Sequence, residues 1–149
     1  MDPTIEEKES LKDEMRNVIE EARMVIPGIQ ALFGFQTIGV FNKGFDDLPD
    51  SGRWAYMIAL GLLILAIALL MTPAAYHRLA ERGRVSLRMI NLSSNLITAG
   101  MIPLMFAFAI DVYVVILAAF KNQTTSWYGA TATIFVFCTL WFLLPIKKN

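Results

Sequence analysis

Charge is scarce over most of this chain, and its absence follows a pattern. No aspartate, glutamate, lysine or arginine occurs in residues 54–77, 89–110 or 122–146, runs of 24, 22 and 25 positions, nor in 24–42, a run of 19. A helix rises about 1.5 Å per residue and the hydrocarbon layer is about 30 Å thick, so roughly 20 apolar residues reach across it. None of the runs alternates apolar and polar positions, which excludes the strands of a membrane barrel. Because the bilayer offers backbone amides no partner, each run is expected to be a helix. Histidine and cysteine are nearly absent, with one of each. His77 has no second histidine and no cysteine near it, which argues against metal or haem ligation. Cys138 sits inside the last apolar run, where a thiol behaves as a small hydrophobe. Beyond residue 53 the acids are Glu81 and Asp111 alone. The sequence has no glycine-rich phosphate loop, no paired intramembrane carboxylate and no serine, histidine and acid in a plausible arrangement. It therefore nominates no catalytic residue, no cofactor and no metal, and enzyme activity is not expected.

What is present is hydrophobic. At 149 residues and 56% hydrophobic, the chain leaves little for a second, soluble module. The expected fold class is all-α: an integral membrane four-helix bundle over 25–149, with spans at about 25–42, 54–77, 89–120 and 126–146, preceded by an amphipathic cytoplasmic helix over 1–24. Thr4 with Glu7 makes a capping box at its start, and Leu11, Met15, Val18 and Ala22 form an apolar stripe at spacings of four and three. An acid-rich start is not a cleavable signal. Pro27-Gly28 predicts a kink or short break before the first span, and Pro73 and Pro103 predict kinks further on. Residues 42–53, with Gly44, Pro49, Gly52 and three aspartates, read as a loop.

The net charge of zero conceals a division. Residues 1–53 hold 11 acids and 6 bases, whereas 54–149 hold 7 bases and 2 acids. Arg78, Arg82, Arg84 and Arg88 face one acid, Glu81, in the second connection, and the positive-inside rule makes that loop cytoplasmic. Both termini then lie on the same, cytoplasmic side of a membrane crossed several times. The acidic N-terminal helix is expected beside those arginines through salt-screened attraction. Trp54, Tyr56, Tyr76, Trp127 and Tyr128 fall where an interfacial aromatic belt would place them.

Two stretches, Glu21-Ala22-Arg23-Met24-Val25-Ile26-Pro27-Gly28-Ile29-Gln30-Ala31-Leu32-Phe33-Gly34-Phe35 and Thr72-Pro73-Ala74-Ala75-Tyr76-His77-Arg78, resemble the most recognisable segments of an uncharacterised bacterial four-span membrane family, the domain of unknown function numbered 6328. The resemblance covers nearly the whole chain. It implies location in a bacterial inner membrane and no assigned activity.

Asp111 is the sharpest residue. With the span ending at Lys121, it lies ten residues, about 15 Å, below that interface and near the bilayer centre. Ser93, Gly100, Ala107, Asp111 and Ala118 fall within about 40° of one line on a continuous helix, a small-residue face that favours close packing. An acid at this depth costs at least roughly 2.5 kcal/mol on insertion scales, and no lysine or arginine in the other spans is placed to pair with it. The candidate partners are Gln36 and Thr37 on the first span and Thr131 and Thr133 on the fourth. His77, Arg78, Arg82, Arg84 and Arg88 are candidate contacts for lipid headgroups, anionic ones above all. The expected role is a structural or accessory subunit packed through small-residue faces, as a homo-oligomer or within a membrane complex, with the bilayer as partner and no nucleic acid. The alternative is an oligomeric proton or ion channel or transporter that uses Asp111.

Overall fold

A computed structural model describes residues 3–80 and 87–146, and among them all regular structure is helical. The helices are α1 (Pro3–Gly39), α2 (Lys43–Asp46), α3 (Asp50–Ala80), α4 (Leu87–Phe120) and α5 (Gln123–Cys138), the last continued by a π-helical turn (Thr139–Leu143) and α6 (Leu144–Ile146). Three helical segments are long and apolar enough to cross a membrane: Asp50–Tyr76, Leu87–Phe120 and Gln123–Leu143. α1 is not among them, so three such helices stand where four spans were expected. Its apolar half is diluted by Gln30, Gln36 and Thr37 and by Pro27, Gly28 and Gly34.

α1 also runs as one helix through Pro27 and Gly28, so of the kink or short break expected there the break does not form. A proline inside a helix costs about 3 kcal/mol through one lost ladder bond and a steric clash. Packing on both sides of it holds the rod together. Met15 is buried against Met89 and Ile90, and Ile29 joins Leu63, Ala66, Leu70, Leu104 and Ala107 in the main core.

The presumed loop over 42–53 is mostly helix. Asn42 caps α2 by accepting from the Gly44 amide at 3.4 Å. The Pro49 carbonyl then accepts the amides of Gly52 (2.8 Å) and Arg53 (3.1 Å), so α3 is already under way at Asp50. Proline, acid and serine in sequence mark a helix start as well as a turn. Tyr56, Ala59, Leu63, Ala66 and Leu70, at alternating spacings of three and four, face inward as one stripe.

α3 and α4 lie antiparallel. A Cβ at Gly100 would sit 3.1 Å from Leu70, and one at Gly52 3.1 Å from Leu117, at the opposite end of the pair. The small-residue face of α4 is what permits this: Ser93 and Ala107 are fully buried there. α5 returns along α4, with Tyr113 on Trp127 (ring centroids 5.1 Å apart), Phe108 on Phe137 (5.3 Å) and the Cys138 sulfur 3.6 Å from that of Met105. Lys121 makes the reversal in the left-handed region (φ 53°), and Asn122 caps α5 by accepting from Thr124 and Thr125 at 3.0 and 3.2 Å. Lys121 also donates to the Asp47 carbonyl at 3.3 Å, so the turns at 40–49 and 121–122 share one end of the molecule. That end is called the turn end below, and the opposite one, with Arg78 and Arg88, the arginine end.

Candidate functional site

The polar centre lies where α1, α3 and α4 meet. Gln36 sits seven residues beyond Ile29 and so repeats its inward face two turns later. Asp111 sits one turn beyond the fully buried Ala107. The Gln36 amide Nε2 donates to Asp111 Oδ1, joining α1 to α4 across 75 positions of sequence. Gln36 is 94% buried in consequence, and Asp111 is half-buried.

A third helix closes the group. α1 ends at Gly39, so the Gln36 carbonyl lies in its last turn. The Tyr56 hydroxyl donates to it at 2.8 Å. Gly39 makes room, since a Cβ there would collide with the same hydroxyl. Phe45 packs edge-on against the Tyr56 ring, with centroids 5.5 Å apart. One donor-acceptor account stays open. Gln36 Oε1 is buried and has no hydrogen-bond partner among the described residues.

Of the partners named from sequence, Gln36 alone meets Asp111. Thr37 and Thr131 are exposed, Thr133 is half-buried, and each turns its hydroxyl back onto its own helix, to the carbonyls of Phe33, Trp127 and Gly129 at 2.8, 2.8 and 2.9 Å. A hydroxyl in an apolar setting takes the acceptor one turn back because it is always within reach. The longer glutamine spans the gap between helices. Tyr56 was assigned to the aromatic belt and is instead part of the site. Gly39, a glycine at a helix end opposite a tyrosine-bearing helix, was the available signal. Trp54, Trp127 and Tyr128 are well exposed, as a belt residue would be.

Below the polar centre the core is apolar, formed by Ile29, Leu63, Ala66, Leu70, Leu104 and Ala107. Above it a cleft of about 220 Å³, lined by Gly39, Asn42, Tyr56, Val114 and Ala118, opens at the turn end. Among the described residues there is no cluster of three or more histidines, cysteines and acids to hold a metal.

At the arginine end, Arg82 and Arg84 lie outside the described residues, as does the side chain of His77. Arg78 and Arg88 are exposed. Among the described residues the ion pairs are Arg16 with Glu20 (3.1 Å) and Arg53 with Asp50 (3.4 Å), and neither joins α1 to Arg78 or Arg88. The contact is apolar, made by Met15 and Ile19 of α1 on Met89 and Ile90 of α4.

The family of unknown function DUF6328 matches residues 6–145, nearly the full chain. The chain belongs to that family. The match takes in all three elements of the polar centre and both stretches that carried the resemblance, and the DUF6328 description attaches no activity to them. No curated protein and no solved structure matches the chain.

Proposed function

We propose that this DUF6328 protein is a multi-pass membrane protein with a structural or accessory role, in which Gln36, Asp111 and Tyr56 lock three helices in register. The bridge between Gln36 and Asp111 carries the reading. A glutamine and an acid inside apolar surroundings are each expensive alone and inexpensive together. The apolar core beneath them supports a lock over a conduit, because Ile29, Leu63, Ala66, Leu104 and Ala107 separate them from the next buried polar side chain along α4, Ser93. The exposed Phe35, Ile38 and Phe41 of α1 and its end support counting its apolar half as a fourth crossing, about 27 Å over 18 residues from Met24 to Phe41. The arginine excess then sets the orientation, with both termini inside a bacterial inner membrane. The bare apolar face of α5 and the π-helical turn, with Trp127, Phe135 and Leu140, suits lipid, a second copy or a partner subunit.

The competing reading is an oligomeric proton or ion pathway. The unpaired Gln36 Oε1 and the cleft above it favour that alternative. Liposomes separate the two. A structural lock gives no proton flux above empty vesicles with either the native chain or Asp111→Asn. Flux that the native chain supports and Asp111→Asn abolishes, with the thermal midpoint unchanged, overturns the structural reading. Orientation is tested by single-cysteine labelling in a Cys138→Ala background: position 47 should be reached from the outside, and labelling from the cytoplasm alone refutes the topology.

A further inference from the structure

The arginine end holds a second cavity, between α1 and α3. It encloses about 230 Å³, and its lining combines two arginines, Arg23 and Arg78, with Ile26, Leu70, Pro73 and Ala74. No acid lines it. Leu70 and Pro73 are buried and form the floor, whereas both arginines are exposed and have no ion pair among the described residues. Along α3, Leu70 and Arg78 stand eight residues apart, so the cleft runs about 12 Å from a cationic mouth to an apolar end. Backbone chemistry adds to it. Pro27 lacks an amide hydrogen, which removes the usual helical donor from the carbonyl of Arg23, a residue of the cleft lining. That carbonyl can accept from a hydroxyl or ammonium.

We propose that this cleft seats one anionic phospholipid, with its phosphate between Arg23 and Arg78, a headgroup hydroxyl on the Arg23 carbonyl, and an acyl chain along Ile26, Leu70 and Ala74. Charge complementarity decides the occupant. Two guanidiniums match a phosphate diester, and the apolar lining excludes a fully hydrated anion while suiting a chain. The proposal rests on the membrane reading above. It goes beyond the arginine cluster read from sequence, because Arg23 belongs to the acidic N-terminal segment and joins Arg78 only through the fold.

The test uses the full chain in neutral detergent micelles, titrated by native mass spectrometry with dioleoylphosphatidylglycerol, dioleoylphosphatidylcholine or inorganic phosphate. Phosphatidylglycerol should bind in preference to phosphatidylcholine. Arg23→Gln and Arg78→Gln should each weaken it roughly fivefold and the double variant roughly 30-fold, from the usual contribution of a basic residue at an anionic lipid surface. Arg53→Gln, at the turn end, should leave binding unchanged. Equal binding of the two lipids, or a double variant that binds like the native chain, overturns the proposal. So does displacement of the lipid by inorganic phosphate at millimolar concentration, which would make the cleft a site for a free anion. The comparison of lipids on the native chain stands even if a variant fails to fold. Alkaline carbonate extraction of native membranes isolates the underlying assumption: release of the chain defeats the membrane reading itself, while retention without lipid preference defeats the cleft alone.

Discussion

The two halves of α1 are held by opposite means. Toward the arginine end, Met15 and Ile19 press on Met89 and Ile90, a contact made of area and shape. Toward the turn end, Gln36 is fixed by its amide on Asp111 and by the Tyr56 hydroxyl on its carbonyl, contacts made of direction. Methionine side chains adapt to irregular gaps, so the first contact tolerates small displacement. Hydrogen bonds weaken steeply when misaligned, so the second one does not. The apolar half supplies adhesion and the polar half supplies register. A stripe of small residues alone would let α4 slide against its neighbours, and one half-buried acid with a single fitting amide defines where it stops.

The comparison breaks most visibly at the apolar half. Met15→Ala empties a fully buried site and should destabilise the chain by about 2–5 kcal/mol, read as a fall in thermal midpoint in detergent. A change under 0.5 kcal/mol on the scale of surface substitutions would mean that this contact is not adhesive. Asp111→Leu comes next, at roughly 1 to 3 kcal/mol, because it strands the buried Gln36 amide. Adding Gln36→Leu should restore most of that loss, since a pair of apolar side chains leaves nothing unpaired. A double variant as unstable as the sum of the singles would dissolve the lock. Tyr56→Phe removes one hydrogen bond and keeps the ring, for about 0.5–1.5 kcal/mol. No loss at all would show that water serves that carbonyl equally well. The smallest effect belongs to Asp111→Asn, whose amide keeps an oxygen acceptor for Gln36. Its midpoint should stay within about 0.5 kcal/mol of the native chain, and a large drop would show that the carboxyl itself is required.

Much of this was legible in the chain. The charge-free runs gave the three long apolar helices, and the small-residue line on α4 gave the face that packs on α3. Asp111 stood out because it is an acid in such a run, and Gln36 was among its candidate partners. The threonines misled because sequence depth does not reveal that a hydroxyl already has an acceptor one turn back on its own helix. Tyr56 escaped because its role depends on where α1 ends, and helix ends are set by tertiary contacts as much as by composition. The continuity through Pro27-Gly28 was illegible for a related reason: local propensity favours a break, and packing at Met15 and Ile29 overrides it. The π-helical turn likewise has no signature in the apolar run that contains it, although Pro145 soon after leaves the Trp141 carbonyl without its usual helical donor.

The unbroken α1 has a mechanical consequence. Pro27 is a joint in a rod, with Met15 twelve residues to one side and Gln36 nine to the other. These are lever arms of about 18 and 13 Å, so a bend of only 10° at the joint sweeps the two ends through about 3 and 2 Å. Neither the hydrogen bond nor the methionine contact survives movement of that size. The angle at Pro27 is therefore set by clamps at a distance on either arm, and the stiffness of the joint belongs to the assembled molecule and not to the proline.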